Sequence, residues 1–487
     1  RVEAFVPKAR TMTKWLPARI SSVRSGDKMF KKILIANRGE IAVTIIRACR
    51  ELGIKTVAIC SEADRSALHA QLADDCVCIG PAPARESYLN AQAVLTACTI
   101  TGAEAIHPGF GFLAESPAFA RMCEKCQITF IGPSARVIEL MGDKATARQT
   151  AIEAGVPVIP GTPGVVDSLS DALKAADEIG YPVMVKASSG GGGRGIRIAV
   201  SHEELPDAYQ AAKSEALACF GDDRVYIERF VRDPRHIEIQ LLADKNGRVV
   251  HFGERDCSIQ RRNQKLLEEA RSPFIDGKLR ERMGAAAVRL AEHTGYCSVG
   301  TVEFLVDADR NFYFMEMNTR IQVEHPVSEA ITGFNLIREQ IKVAYGLPLK
   351  FGQKNIEFRG HAIECRINAE DPANGFRPSP GTITSLCVPG GPGIRLDSAI
   401  YQGYTIPPYY DSLIAKLIVH APDRRQAIAR MRRALTEFLI TGVETNIDFH
   451  LAILRDPDFI AGNYTIGYLG LKTENFLDQI IPGRRER

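Results

Sequence analysis

No run of apolar residues in this 487-residue chain approaches the roughly 18 to 20 that a membrane-crossing helix needs, so membrane insertion is not expected. A strong charge of either sign is also missing. Lys and Arg number 61 against 58 Asp and Glu. Residues 1–28 hold seven basic residues against Glu3 and Asp27, a balance of +5 within a total of +3, which leaves −2 for the rest. A near-neutral body has no electrostatic footprint for a nucleic-acid partner. The twelve cysteines form no dense framework. Cys76 and Cys78 alternate along a strand pattern. Cys123 and Cys126 make a single C-x-x-C, with no second one and no neighbouring His to complete a ligand set. Buried thiols in a reducing cytosol are the reading for them. Glycine is scarce where a dinucleotide site would need it. The strand KKILIA runs into NRGEIA with Glu62 some twenty residues on, but Gly39 stands alone where three glycines must admit a pyrophosphate.

What is present reads as several domains, since one core does not serve 53.5 kDa. From Met29 the chain alternates strand and helix: KKILIA, GEIAVTIIRACRELG, KTVAIC, DCVCIG, SYLNAQAVLTACTITG, AEAIHPG and ITFIGPS. That succession predicts a parallel sheet flanked by helices. A helix starts in MGDKATARQTAIEAG. From about 158 to 230 the pattern is that of a small α+β module around a glycine-rich loop, and from about 231 it is strand-rich. Residues 1–28 are basic, Ser-bearing and acid-poor, without an initiating Met. They read as an extension upstream of a start at Met29, or as an organelle transit segment, and are expected to be disordered.

The strongest chemical signal is VKASSGGGGRG. Glycine loses the most backbone freedom on ordering, so this cluster between two apolar strands points to a loop that wraps phosphates with its N–H groups. No Gly-Lys-Ser/Thr closes it, which excludes a Walker A loop. Lys144 and Lys186 are cation candidates, although either alone could be a surface lysine. Glu303 in GTVEFLVD and Glu316 in YFMEMN interrupt apolar strands, where a carboxylate seldom sits unless paired or metal-bound. A hairpin through VDADRN would set them side by side. Asn318 adds a neutral oxygen, and hard oxygen donors favour Mg²⁺ over zinc. Solvated edge-strand acids are the plain alternative. The segment EMNTRIQVEH places Glu316, Asn318, Arg320, Gln322 and Glu324 at every second position, one face of an extended strand. Met315, Met317, Ile321 and Val323 take the other face. Straight, that face spans roughly 26 Å at ~3.3 Å per residue, so the chain must bend or the site is elongated. Arg320 suits a small planar anion, and Glu324 is then placed for proton abstraction. Arg255, Arg261, Arg262 and Lys265 in ERDCSIQRRNQK are either a solvated charge run or part of an anion site.

Together with HPGFGFLAES, RHIEIQ and RPSPGTI, these motifs closely resemble biotin carboxylase, the ATP-grasp component of acetyl-CoA carboxylase, from about Met29 to about 475. The resemblance implies a multidomain α/β and α+β fold. A Rossmann-like N-terminal domain over 29–142 and a connecting helix over 143–157 would precede an ATP-grasp fold. Its mobile glycine-loop lid would cover 158–230 and a strand-rich catalytic domain 231–475, followed by a tail over 476–487. It implies ATP with Mg²⁺ or Mn²⁺, bicarbonate, and biotin as a carrier-bound substrate. Lys144, Lys186, Gly191, Gly192, Gly193, Glu228, His236 and Gln260 then match the nucleotide site, with Glu228 and His236 near adenine and ribose. Glu303, Glu316 and Asn318 match the metal set. Arg320, Gln322 and Val323 match the bicarbonate pocket, and Glu324 the general base. Arg366 in ECRINAED matches the group that stabilises the biotin enolate, and Lys265 a lysine that holds bicarbonate and the activated intermediate.

Three residues depart from the family pattern. Asn263 stands where His is common, Phe110 where Tyr is, and Ser189 where Gly is; none removes a catalytic group. No Met-Lys-Met triplet occurs to carry biotin. The chain is therefore expected to act as a homodimeric cytoplasmic subunit, or a plastid one if residues 1–28 form a transit segment. Its expected partners are a biotin carboxyl carrier protein and carboxyltransferase subunits. The alternatives are another bicarbonate-using ATP-grasp ligase and a non-catalytic nucleotide-binding subunit.

Overall fold

The apolar runs KILI and KTVAIC form adjacent parallel strands, Lys32–Ile35 and Lys55–Cys60, in a computed structural model that describes residues 29–188 and 195–480. Residues 1–28, 189–194 and 481–487 lie outside the described residues. The reading of 1–28 as disordered, and Ser189, Gly191, Gly192 and Gly193 of the glycine loop, fall there. Three further short strands complete a five-stranded parallel sheet. Its order is Asp75–Cys78, Lys55–Cys60, Lys32–Ile35, Ala105–His107, Thr129–Phe130. Gly39 opens the first helix, Gly39–Glu51, with φ +67°, and a Cβ there would meet nothing within 4 Å. This lone glycine serves the strand-to-helix turn through its backbone conformation. The helix buries Ile41, Ile45 and Cys49 as its spacing predicts, and also Glu40.

The α+β module consists of a three-stranded antiparallel sheet, Ile196–Ala199, Val183–Ala187 and Val225–Arg229, under two helices, Leu169–Ile179 and Leu205–Phe220. Ala172, Ala176, Ala208 and Ala212 let those helices lie close against Val183, Val185, Val225 and Ile227.

The strand-rich region builds an eight-stranded antiparallel sheet in the order Phe312–Asn318, Ser298–Val306, Arg235–Ala243, Val249–Arg261, Gln264–Ala270, His361–Asn368, Leu413–Ala421, Ile394–Ser398. Its central strands are buried on both faces. One face is apolar: Ile237, Ile239, Leu241, Val302 and Phe304 pack on the helix Gly277–Thr294 through Met283, Ala287 and Leu290. The other is polar and equally buried, with His236, Glu238, Gln240 and Glu303. Alternation along each strand turns a sequence such as RHIEIQ into a core on one side and a charged floor on the other.

The strand at Glu316 stops at Asn318, so the extended face expected through Glu324 is not a strand over its whole length. Residues 319–324 turn into the helix His325–Thr332. Pro326 at its first turn, where a missing N–H costs nothing, and the bond of 2.8 Å between His325 Nδ1 and the Gln322 carbonyl fix that turn. No helix among the described residues is long and apolar enough to cross a membrane.

Candidate active site

Strand register assembles the site. Glu303 lies opposite Glu316 on one side and Glu238 on the other, and Glu238 lies opposite Arg255. The result is a row of four charged side chains across four strands. The hairpin expected through VDADRN is present, and it pairs Glu303 with Glu316. Lys265, from the strand Gln264–Ala270, reaches into this floor. Its Nζ donates to Glu238 Oε2 at 2.6 Å, Glu303 Oε1 at 2.9 Å and Glu324 Oε1 at 2.7 Å. Burial would lower this ammonium, but Glu238, Glu303 and Glu324 together hold it well above the ordinary lysine range.

Glu303 is the hub. Its Oε1 also accepts from Asn318 Nδ2 and Gln322 Nε2, each at 2.9 Å, and its Oε2 lies 2.8 Å from His236 Nε2. Gln260 in turn meets His236 Nδ1 at 2.6 Å. Burial would raise the Glu303 carboxyl, but Lys265 and His236 hold it far below the usual range. Glu316 moves the other way, raised by burial and by the charge of Glu303 while Lys144 pulls against that rise. Two carboxylates opposed across adjacent strands, with an amide beside them, are a donor set suited to a hard divalent cation. Glu303, Glu316 and Asn318 fit one on that ground.

Glu324 is fully buried at the turn before the helix. Lys265 binds one of its oxygens, and Arg366 Nη2 donates to the other at 2.9 Å. Burial would raise this carboxyl; Lys265, Arg366 and Arg255 keep it well below the usual range and therefore ionised. Arg366 Nε donates to Glu268 Oε1 at 2.6 Å. Here burial wins against Arg366 and pushes Glu268 up to about 7. The two acids on Arg366 are thus driven apart, one fixed as an acceptor and one easily protonated.

Arg320 leaves the strand face at the bend. It donates to Glu115 at 2.8 Å, and to Asn318 Oδ1 and Gln322 Oε1 at 2.9 Å each. Val323 contributes its carbonyl, which accepts from the fully buried Lys416 at 2.8 Å; Lys416 also pairs with Glu40 at 3.1 Å. The three-stranded sheet holds a second group. Lys186 Nζ donates to Glu228 at 2.9 Å and lies 5.3 Å from the Tyr226 ring centroid, with Arg148 3.5 Å from Glu228. Lys144 is exposed at the first residue of the helix Lys144–Glu153.

The structure thus gathers Lys265, Glu303, Glu316, Asn318, Arg320, Gln322, Glu324, Arg366, His236 and Gln260 into one connected cluster, and joins Lys186 to Glu228 separately. His236 sits against Glu303, one of the candidate metal ligands. Arg261 stacks 3.8 Å over Phe376, and Arg262 and Asn263 form the two-residue turn of a hairpin with φ +50° and +63°. Asn tolerates that left-handed conformation well, which gives Asn263 a backbone reason for its position. Glu115, Glu238, Glu268 and Lys416 were not singled out from sequence. RHIEIQ and LLEEA carried the signal for two of them, as acids within strand patterns. Lys416 carried it too, as a charge inside the apolar strand LIAKLIVHA, whereas Glu115 had none, since only the tertiary fold brings it here.

Family models match nearly the whole described chain. They are the biotin carboxylase N-terminal domain over residues 29–138, the carbamoyl-phosphate synthase L chain ATP-binding domain over 143–351, and the biotin carboxylase C-terminal domain over 364–470. Biotin carboxylase 1 of Bacillus subtilis is 56% identical over 442 residues, 91% of this chain and 98% of that protein. A pyruvate carboxylase subunit of Methanothermobacter thermautotrophicus is 56% identical over 435 residues, 89% of this chain and 88% of its own. The biotin carboxylase domain dimer of Hydrogenobacter thermophilus 2-oxoglutarate carboxylase, solved with MgADP, ADP and bicarbonate, superposes with a TM-score of 0.86 at 52% identity. That match covers 93% of this chain and 99% of that one.

Proposed function

The chain belongs to the biotin carboxylase family, an ATP-grasp ligase acting with ATP and bicarbonate, and from that premise we propose that it carboxylates biotin borne on a separate carrier protein, as the first half-reaction of acetyl-CoA carboxylase in fatty-acid synthesis. One observation carries this reading: Glu324 is clamped between Lys265, which also touches the acid set, and Arg366, which lies on the far side. A base so placed can serve two neighbouring substrates.

Glu324 takes the proton of bicarbonate, held by Arg320 and Gln322. The freed oxygen attacks the γ-phosphorus of ATP, the bond to ADP breaks, and carboxyphosphate forms. Lys265 gives up part of its contact with Glu324 to the incoming anion, which lets the base strengthen as the substrate binds. Carboxyphosphate separates into CO₂ and phosphate, and the phosphate accepts the N1 proton of biotin. Arg366 stabilises the enolate oxygen while N1 bonds to CO₂. Lys144, Lys186 and the glycine loop at Gly191, Gly192 and Gly193 bind the phosphates; Glu228, His236 and Gln260 line the rest of the nucleotide site. Glu303, Glu316 and Asn318 would hold Mg²⁺ or Mn²⁺, which supplies charge neutralisation at the phosphates.

The Hydrogenobacter dimer supports a homodimer here. A biotin carboxyl carrier protein and carboxyltransferase subunits in the cytoplasm are the partners this reading calls for. The equal identity to a pyruvate carboxylase subunit favours a second reading, in which the carboxyl group goes on to pyruvate. ATP hydrolysis measured with bicarbonate and free biotin each omitted in turn tests the common step. Hydrolysis that needs bicarbonate and rises with biotin is expected; indifference to biotin would point to another bicarbonate-using ATP-grasp ligase. Reconstitution with each carboxyltransferase then separates the acyl acceptors.

A further inference from the structure

Away from the site, the N-terminal parallel sheet brings three thiols to one face of its edge. Cys60 closes the strand Lys55–Cys60, and Cys76 and Cys78 lie on the edge strand Asp75–Cys78. The register pairs Ala58 with Cys76 and Cys60 with Cys78. Opposed residues of parallel strands, and residues two apart on one strand, share a face, so all three sulfurs do. Cys60 is 3% exposed, while Cys76 and Cys78, expected from the sequence to be buried, are open to solvent because their strand is at the sheet edge; of the C-x-x-C pair Cys123 is buried and Cys126 exposed. The Cys60 and Cys76 sulfurs stand 3.5 Å apart.

Two kinds of chemistry could join them, and geometry separates the two. A disulfide needs Cα atoms within about 6.8 Å. Cys60 and Cys76 are two residues out of register, and a ~4.8 Å strand spacing with a ~6.6 Å offset puts their Cα atoms about 8 Å apart. Cys60 and Cys78 are directly opposed, but their Cβ atoms sit about one strand spacing apart, wider than the ~3.8 Å mean of a disulfide. A thiophilic cation is less demanding. With metal–sulfur bonds of about 2.3 Å at a tetrahedral angle, its sulfurs lie roughly 3.7 Å apart, close to the 3.5 Å observed. The three sulfurs do not all fall within 4.8 Å of one another as they stand. Closing the set requires the exposed Cys78 side chain to leave the Gly80 carbonyl, 3.8 Å from its sulfur, and turn towards the other two.

We propose that Cys60, Cys76 and Cys78 form a site for a soft d¹⁰ cation of the Zn²⁺ class, with water as fourth ligand. Three thiolates select such an ion over the Mg²⁺ that the carboxylate cluster suits. A bound ion would pin an edge strand that otherwise has a neighbour on one side only. It would also brace Ser61, whose Oγ meets Tyr410 OH of the C-terminal region at 2.5 Å.

The test is titration of the full-length, reduced protein with Cd²⁺ in excess Mg²⁺, followed by ultraviolet thiolate-to-metal charge-transfer absorption, a signal that carboxylates do not give. One equivalent is expected to develop the band. Affinity should fall at least tenfold in C76S and the band should vanish in C76S/C78S, while C126S, which removes another exposed thiol, keeps it. Unchanged bicarbonate-dependent ATP hydrolysis in C76S/C78S verifies its fold. A band that survives in the double variant, or no band in the parent protein, overturns the proposal. So does recovery of a Cys60–Cys78 disulfide from the reduced preparation.

Discussion

Lys265 Nζ lies 2.7 Å from Glu324 Oε1 while also binding Glu238 and Glu303, so one ammonium bridges three buried carboxylates. Lys265→Met removes the largest force holding Glu324 down, and burial then raises that carboxyl. A base with a raised pKa is protonated at higher pH. The acid limb of the kcat/KM profile should therefore move upward, alongside a kcat loss of about 10²-fold or more. A profile that drops in height without moving would show that Lys265 acts on substrate alone.

The register pairing of Glu303 with Glu316 predicts a metal phenotype. Glu316→Gln keeps the strand but removes one anionic ligand, so half-maximal activity should need about tenfold or more Mg²⁺. Activity against Mg²⁺ concentration measures it, and an unchanged midpoint would remove Glu316 from the metal set.

Much of this arrangement was legible because strand alternation is a local property. RHIEIQ, GTVEF and NFYFMEMN each announced an acid inside an apolar strand, and VDADRN announced the hairpin that pairs two of them. EMNTRIQVEH was legible only in part beyond Asn318: its period of two continues through a turn, and the bend, one of the two alternatives its length left open, is what the structure has. The stronger signal there was Pro326, a residue of first helical turns. The contacts of Glu115 and Lys416 escaped for another reason. They reach Arg320 and Val323 across 205 and 93 residues of chain, and no local pattern encodes such a contact.

Lys416 is a positioning residue on this geometry: it holds the Val323 carbonyl next to Glu324 and is matched by the buried Glu40. Lys416→Met leaves Glu40 buried without its cation, a loss of about 3–5 kcal/mol. Lys416→Met with Glu40→Gln should recover much of the Tm. It should not recover kcat, expected to stay at least tenfold low with KM for ATP within about twofold. Full recovery of kcat in the double variant would assign Lys416 to stability alone.

Acid stability has a separate source. Burial alone would raise Glu269, but Arg424 and His361 bring it down from 4.5 to about 2, and Tyr464 also donates to it. A depressed carboxyl stabilises the fold above its unfolded value. That contribution, up to about 3 kcal/mol, is lost as the pH falls from 4.5 towards 2. Glu269→Gln should lower Tm at pH 7 and flatten the decline of Tm across that window. A variant whose Tm falls with pH as steeply as the parent's would place the acid sensitivity elsewhere.

The proposed mechanism divides the labour between Glu324 and the nucleotide site. Glu324→Gln keeps shape and hydrogen-bonding capacity while removing most of the basicity. The kcat for bicarbonate-dependent ATP hydrolysis should fall by about 10²–10⁴-fold, the range for loss of a general base. ATP affinity, measured by calorimetry with Mg²⁺ present, should change by less than about 1 kcal/mol, under tenfold in Kd. A folded Glu324→Gln protein that no longer binds ATP, or one that hydrolyses it at the parent rate, would contradict the assignment of Glu324 as the base.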